Sequence, residues 1–369
     1  MSLLEEGQII RGTYEVERFL GQGAFAEVFR VKHRFLGRQA MKVFKTVGLT
    51  IEETEEMLVE AILLSRLGHP HIVRVFDANV TDTSKGARGF FTMEYVAGGS
   101  LEQYWKSHGI RLVPVAEAVE ILRQVCRGLA VAHSENPPIV HRDIKPQNIL
   151  VGYDAAGLRA RVSDFGLAKR VNPLTLLASS KGTPCFKSPE AFSDPQGDSC
   201  AGDVWALGTT LYLLLTDNLP FPDLIHGPIF DPRQFEKPIT PPSRVNVDAD
   251  VTLDQIVSRC LALRPSDRYK NALEVLADLE RWSPQRPDKP ISAKRTTSSQ
   301  TLKITLGGAA ASPHDEQKAR KMAGEAVELA KHRRLTDAAD LMEEAFNRWP
   351  DLRDEHEHQL RLWRKGIMY

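Results

Sequence analysis

Apolar and polar positions alternate along residues 14–20 and again along 27–31, on either side of a glycine-bearing turn. That period of two is the mark of strands half-buried in a sheet. Gly37 turns the chain into another strand-like run over residues 39–44, and two more follow around 72–76 and 90–95. Between them residues 51–67 change period: Met57, Ala61, Leu64 and Leu67 recur on one helical face, with Ile62 and Leu63 beside it. From Ser100 onward helical spacing dominates. Residues 111–133 read as one long amphipathic helix, 204–215 as a nearly all-apolar buried one, and 252–263 and 272–282 as two more. Strands first, helices after and a short hinge between them predict an α+β architecture of two lobes.

Residues 283–314 break both periods. They are rich in proline, serine and threonine and poor in large apolar side chains, so they cannot offset their ordering entropy and read as a flexible linker. Residues 315–369 return to helical spacing. Ala326, Leu329, Ala338, Met342, Ala345 and Pro350 resemble the small-and-large pattern of one tetratricopeptide repeat, with residues 354–365 as a capping helix; another kind of helical hairpin stays open. One such repeat cannot bury its own face, so this tail should lean on its last helix, on the preceding domain or on a protein partner.

Composition narrows the class. The 369 residues carry 48 basic and 48 acidic side chains, a formal net charge of zero, so no global field draws the chain to nucleic acid or anionic lipid. Cys126, Cys185, Cys200 and Cys260 are scattered without a Cys-x-x-Cys pair, which argues against a zinc site or a disulfide framework and suits a reducing compartment. The first six residues lack a basic start and an apolar core, so no signal peptide is expected. No apolar run approaches the ~18 residues that span a bilayer. A cytoplasmic protein without a membrane span is the expectation.

The chemistry is concentrated in two strings. His141-Arg142-Asp143-Ile144-Lys145-Pro146-Gln147-Asn148 is followed by Asp164-Phe165-Gly166. They set a carboxylate, a lysine, an amide and a second carboxylate in the order that metal-assisted phosphoryl transfer uses. With them the chain resembles a eukaryotic-type serine/threonine protein kinase, of the compact kind found in bacteria, over residues 10–282. The resemblance implies the two-lobed protein kinase fold, a small antiparallel sheet with one helix (about 10–95) and a larger helical lobe (about 98–282). It implies ATP and Mg2+ as cofactors, with Mn2+ as a substitute, and protein serine or threonine hydroxyls as acceptors.

What the family uses at each position carries over residue by residue. Asp143 would be the base, Lys145 would offset charge on the transferring phosphate, and Asn148 and Asp164 would be the metal ligands. Gly21 and Gly23 lie between two strands rather than before a helix, which excludes a dinucleotide-binding fold; in the kinase pattern their backbone would meet phosphates, and Ala26 replaces the third glycine. Lys42 would grip phosphate oxygens, paired with Glu60. Leu20, Val28, Ala40 and Leu150 would sandwich adenine, Glu94 and Val96 would hydrogen-bond it through backbone groups, and Met93 would close the rear.

Further on, Thr183 and Ser188-Pro189-Glu190 imply a platform for protein substrates and argue against a small-molecule phosphotransferase; Leu167 leans toward serine acceptors. Asp203 would hold the catalytic loop and Arg268 would pair with Glu190. Arg142 would receive a phosphate on the activation segment, with Thr175, Ser179 and Ser180 as acceptors, or serve only as a structural donor. Thr296, Thr297, Ser298 and Ser299 offer linker hydroxyls for autophosphorylation. The alternative is a pseudokinase scaffold that docks partners through its tail, against which stand Lys42, Glu60, Asp143, Asn148 and Asp164, all present.

Overall fold

The computed structural model describes residues 2–23, 25–108, 112–165, 183–193, 199–221, 232–284 and 313–367. The first lobe is an antiparallel sheet of β1 (Ile9–Ile10), β2 (Tyr14–Gln22), β3 (Ala26–His33), β4 (Gly37–Phe44), β5 (Val75–Thr83) and β6 (Gly86–Glu94), in spatial order β1-β2-β3-β4-β6-β5. One helix, α1 (Ile51–Leu67), joins β4 to β5. Thr50 starts it as a capping box with Glu53, and Gly68, at φ 65, ends it in the left-handed region that a glycine enters without strain. The side chains of Met57, Glu60, Ala61, Leu64 and Leu67 lie outside the described residues.

The strand expected around residues 72–76 begins later, at Val75, because the preceding segment is tied elsewhere. Val162 N–H donates to the His71 carbonyl at 2.9 Å and Val73 N–H to the Val162 carbonyl at 2.9 Å. With these groups bonded to the second lobe, residues 71–73 cannot also pair in the sheet, which the chain rejoins where the Arg74 carbonyl accepts from Glu94 N–H of β6 at 2.9 Å. His71 itself is buried, and its Nδ1 donates to the Ala160 carbonyl at 2.9 Å. Burial pushes its pKa down to about 4. The unfolded chain protonates near pH 6.5 while the folded chain stays neutral, so the stability His71 contributes is full above that pH. It is lost as pH falls through about 4. Urea titrations at pH 7.5 and 4.5 should show wild type losing on the order of 2 kcal/mol more than His71→Asn, which has no proton to gain.

The second lobe holds α2 (Leu101–Ser107), α3 (Val115–His133), α4 (Pro189–Ser193), α5 (Cys200–Thr216), α6 (Pro242–Val245), α7 (Val251–Cys260) and α8 (Ala272–Arg281). Residues 203–216 of α5 are buried on every side, which is why that stretch shows no polar face. Trp205 on α5 stacks on Phe221 at 5.5 Å and meets Phe235 edge-on at 5.4 Å, forming the aromatic centre of this core. The helix expected from Arg111 begins at Val115, since Pro114 at its N-cap keeps ψ at 132. The lobe also contains a hairpin, β7 (Ile149–Asp154) with β8 (Gly157–Val162), where only helices were expected. Its signal was present: an apolar run at 149–151, a turn ending in Gly157 (φ 120), then alternation through Val162.

Residues 313–367 form α9 (Pro313–Lys331), α10 (Leu335–Arg348) and α11 (Leu352–Arg364), so helix starts just inside the stretch read as linker. Ala319, Ala323, Ala326 and Ala330 of α9 pack against Ala338, Met342, Ala345 and Phe346 of α10, small side chains that let two backbones approach closely. The tail does not close its core alone. Tyr153 of β7 belongs to the same cluster, with its ring edge-on to Phe346 at 5.8 Å.

Candidate functional site

The site lies where the two lobes face each other. Strand register brings its upper wall together: β3 pairs with β4 so that Val28 sits beside Lys42, and β4 pairs with β6 so that Ala40 sits beside Met93. Ala40 and Lys42, two apart on β4, both face the cleft. At the β2–β3 turn Gly23 N–H donates to the Ala26 carbonyl at 2.8 Å, and Lys45 Nζ caps the Gly23 carbonyl at 2.7 Å. A Cβ at Gly21 or Gly23 would meet nothing within 4 Å, and neither residue has a positive φ. The fold itself does not demand glycine there; the open space belongs to whatever enters the cleft.

The lower wall is the loop 141–148, and Asp203 holds its entry. The carboxylate accepts the backbone N–H of His141 at 2.7 Å and of Arg142 at 2.8 Å, with His133 Nε2 at 3.0 Å. Burial works against its charge, yet those donors keep its pKa below the usual carboxylate range. The paired bonds stabilise Arg142 in the left-handed region at φ 70, which otherwise costs on the order of 1–2 kcal/mol. His141 then reaches the Ser163 carbonyl through Nε2 at 2.7 Å and meets the Phe165 ring at 4.6 Å, fixing the two strings against each other.

Within the loop Asp143 Oδ2 is 2.8 Å from Lys145 Nζ and accepts from Asn148 Nδ2 at 2.9 Å. Across the cleft Lys42 Nζ contacts Asp164 Oδ2 at 2.7 Å. The other oxygen, Asp164 Oδ1, is buried and has no hydrogen-bond partner among the described residues. An orphaned buried carboxylate oxygen is costly unless something not in the chain satisfies it. With the amide of Asn148 nearby and its Nδ2 engaged by Asp143, the donor set is hard oxygen, which suits Mg2+ or Mn2+.

Leu20, Gly21, Gly23, Val28, Ala40, Lys42, Met93, Glu94, Val96, Leu150, Asp143, Lys145, Asn148 and Asp164 thus line one cleft of about 850 Å3. Arg142 lies behind it, its carbonyl accepting from Lys187 Nζ at 2.6 Å. Glu190 sits deeper in the second lobe, where Arg268 donates to both its oxygens at 2.7 and 2.8 Å. Burial alone would raise the pKa of Glu190, but the Arg268 guanidinium holds it below the ordinary value. The side chains of Glu60 and Thr183 lie outside the described residues, as do Thr175, Ser179, Ser180 and 296–299. Among the cleft residues that no motif announced are Glu344, Asn347 and Arg348, all from α10.

A sheet lobe, a helical lobe and a cleft lined by a lysine, two carboxylates and an amide define the protein kinase class. The chain belongs to the protein kinase family: the family model described as the protein kinase domain matches residues 14–278. Serine/threonine-protein kinase PknB of Mycobacterium leprae is 35% identical over 288 residues, covering 75% of this chain and 44% of the relative. A probable serine/threonine-protein kinase of Clostridium acetobutylicum is 30% identical over 280 residues, covering 74% and 40%. The chain therefore spans less than half the length of these curated relatives. Among solved structures, the kinase domain of Mycobacterium tuberculosis PknI superposes with a TM-score of 0.55 at 27% identity, covering 75% of this chain and 98% of that one. Residues 14–278 are thus a serine/threonine protein kinase domain, a class that works with ATP and a divalent metal. Among the described residues no helix is long and apolar enough to cross a membrane.

Proposed function

We propose that the chain is an active kinase that transfers the γ-phosphate of ATP to serine or threonine hydroxyls of proteins. The observation that carries this reading is the convergence of Lys42, Asp143, Lys145, Asn148 and Asp164 on one cleft. Asp143 orients the acceptor hydroxyl and takes its proton as oxygen bonds to the γ-phosphorus and the bond to the leaving β-phosphate oxygen breaks, giving ADP and a phosphoprotein. Lys145, held 2.8 Å from Asp143, offsets the charge that grows on the transferring group. Lys42 holds phosphate oxygens. Asn148 and Asp164 would bind Mg2+, which screens phosphate charge and aligns the phosphates when present.

The finer points extend the same reading. Autophosphorylation would fall on Thr175, Ser179 or Ser180, answered by Arg142, and on the linker hydroxyls 296–299. The α9–α10 hairpin would be a single tetratricopeptide-like unit capped by α11, supported by its ladder of buried alanines. The cytoplasm would keep the four cysteines as the free thiols they are.

Transfer of radiolabelled phosphate from ATP to the chain itself and to a generic protein acceptor tests the activity. Asp143→Ala should lower the rate about a hundredfold or more, as loss of a positioned base does, while nucleotide binding persists. Equal, background-level labelling by both proteins would instead leave a pseudokinase scaffold.

A further inference from the structure

The tail grips both lobes at the mouth of the cleft. On the first lobe, Glu344 of α10 accepts from Arg18 of β2 at 2.6 Å, from Arg30 of β3 at 3.1 Å and from the Tyr95 hydroxyl in the hinge at 2.9 Å. Next to it Arg38 of β4 meets Asp337 at 2.8 Å and Asp340 at 3.1 Å. On the second lobe, Arg353 lies over the Tyr104 ring at 4.2 Å, and Arg361 donates to the Ala156 carbonyl at 2.8 Å. These attachments fix the end of α10 against the hinge, on the side where the cleft opens.

One turn of that helix therefore becomes part of the pocket wall. Glu344 is spent on its arginine and tyrosine partners, but Asn347 and Arg348 are not: neither side chain makes a hydrogen bond or an ion pair with any described residue, and both line the cleft. Asn347 Nδ2 would lie 3.2 Å from a Cβ placed on Gly99, so the amide is against the hinge turn, and Gly99 at φ 75 leaves it room. Amide and guanidinium groups without partners among the described residues, at the rim of a nucleotide-sized cleft, are donors for the oxygen-rich part of a ligand.

We propose that α10 completes the nucleotide site, with Asn347 and Arg348 as binding residues for the ribose end of ATP, positioned by the Glu344 contacts. The proposal rests on the kinase reading above and deepens it: ATP affinity is set partly by a segment outside residues 14–278, the matched kinase domain. The tail is then a component of the active site rather than an independent appendage.

The test uses the full chain, with KM and kcat for ATP and a direct Kd for ATP measured in the presence of Mg2+. The Asn347→Ala/Arg348→Ala double variant, changed at one partly buried and one exposed position, should keep its fold. Its Kd and KM for ATP should rise about five- to tenfold, the scale of one or two lost hydrogen bonds, with the loss falling on KM much more than on kcat. Glu344→Lys, which sets a positive charge against Arg18 and Arg30, should free the α10 end and raise KM at least as much. Increased amide exchange in α10 would report the release. Arg320→Ala, whose partners Glu316 and Glu355 are both in the tail, should leave KM at the wild-type value. Wild type that binds ATP with the double variant unchanged overturns this proposal and leaves the kinase reading standing. Wild type that binds no ATP overturns both.

Discussion

Asp164→Asn should abolish Mg2+-dependent phosphate transfer while leaving the fold intact. The substitution keeps the shape of the side chain and removes its charge. Among the described residues Asp164 Oδ1 is buried without a partner, an unsatisfied carboxylate oxygen whose cost is already part of the native fold. An amide oxygen can still accept from Lys42, so the change costs the fold little; it removes the hardest ligand in the cleft. Lys42, 2.7 Å from the other oxygen, loses its anionic partner at the same time. Metal-borne charge stabilisation is worth several kcal/mol, so kcat/KM should fall on the order of a thousandfold or more. Thermal melting supplies the second readout: Mg2+ with ATP should raise the melting temperature of wild type and leave that of the variant unmoved. Transfer within tenfold of wild type would remove Asp164 from the role of metal ligand.

The legible part of the site was whatever is short-range in sequence. The loop 141–148 and the string at 164–166 stand out by order and spacing, and Lys42 was named only through the resemblance they carry. What spacing does not contain is partnership. The expected pairing of Lys42 with Glu60 falls on a side chain outside the described residues, while the contact of Lys42 with Asp164, far along the chain, had no signal in spacing. Asp203 and the loop it holds could be named from the resemblance, but the His133 that shares its carboxylate could not, since a histidine near the end of a helix carries no mark of what faces it.

The fold divides in the same way. Amphipathic helices and half-buried strands show their period, so α3, α8, β2 and β3 were readable. Segments whose hydrogen bonds go outside their own element were not. Ile72 and Val73 look like the start of a strand, yet with His71 they serve as a clasp between lobes, and the next strand starts only at Val75. The seat of the tail was least visible. It rests on Arg18, Arg30 and Arg38, each an ordinary charged strand residue in sequence, converging only after three strands align.

Arg268→Ala should destabilise the second lobe more than any surface change, by about 3–5 kcal/mol, the cost of breaking a buried ion pair on one side. The Arg268 side chain is 0% exposed. Its guanidinium donates to both Glu190 oxygens, to the carbonyls of Ala262 at 2.7 Å, Leu263 at 3.0 Å and Ala201 at 3.1 Å, and lies over the Trp205 ring at 4.8 Å. Truncation strands a carboxylate and three carbonyls together beside the aromatic core. Arg268→Lys should recover little, because an ammonium cannot fan its donors across a plane as a guanidinium does. Glu190→Gln alone should cost less: the buried guanidinium loses its counter-charge, but the amide oxygen still accepts from it and the carbonyls of Ala201, Ala262 and Leu263 keep its other donors satisfied. The double variant Arg268→Ala/Glu190→Gln should then be less unstable than the sum of the singles, the coupling of a pair that shares one buried site. Urea unfolding of the four proteins measures that coupling; strict additivity would mean the two side chains stabilise the lobe independently, contrary to the bidentate geometry.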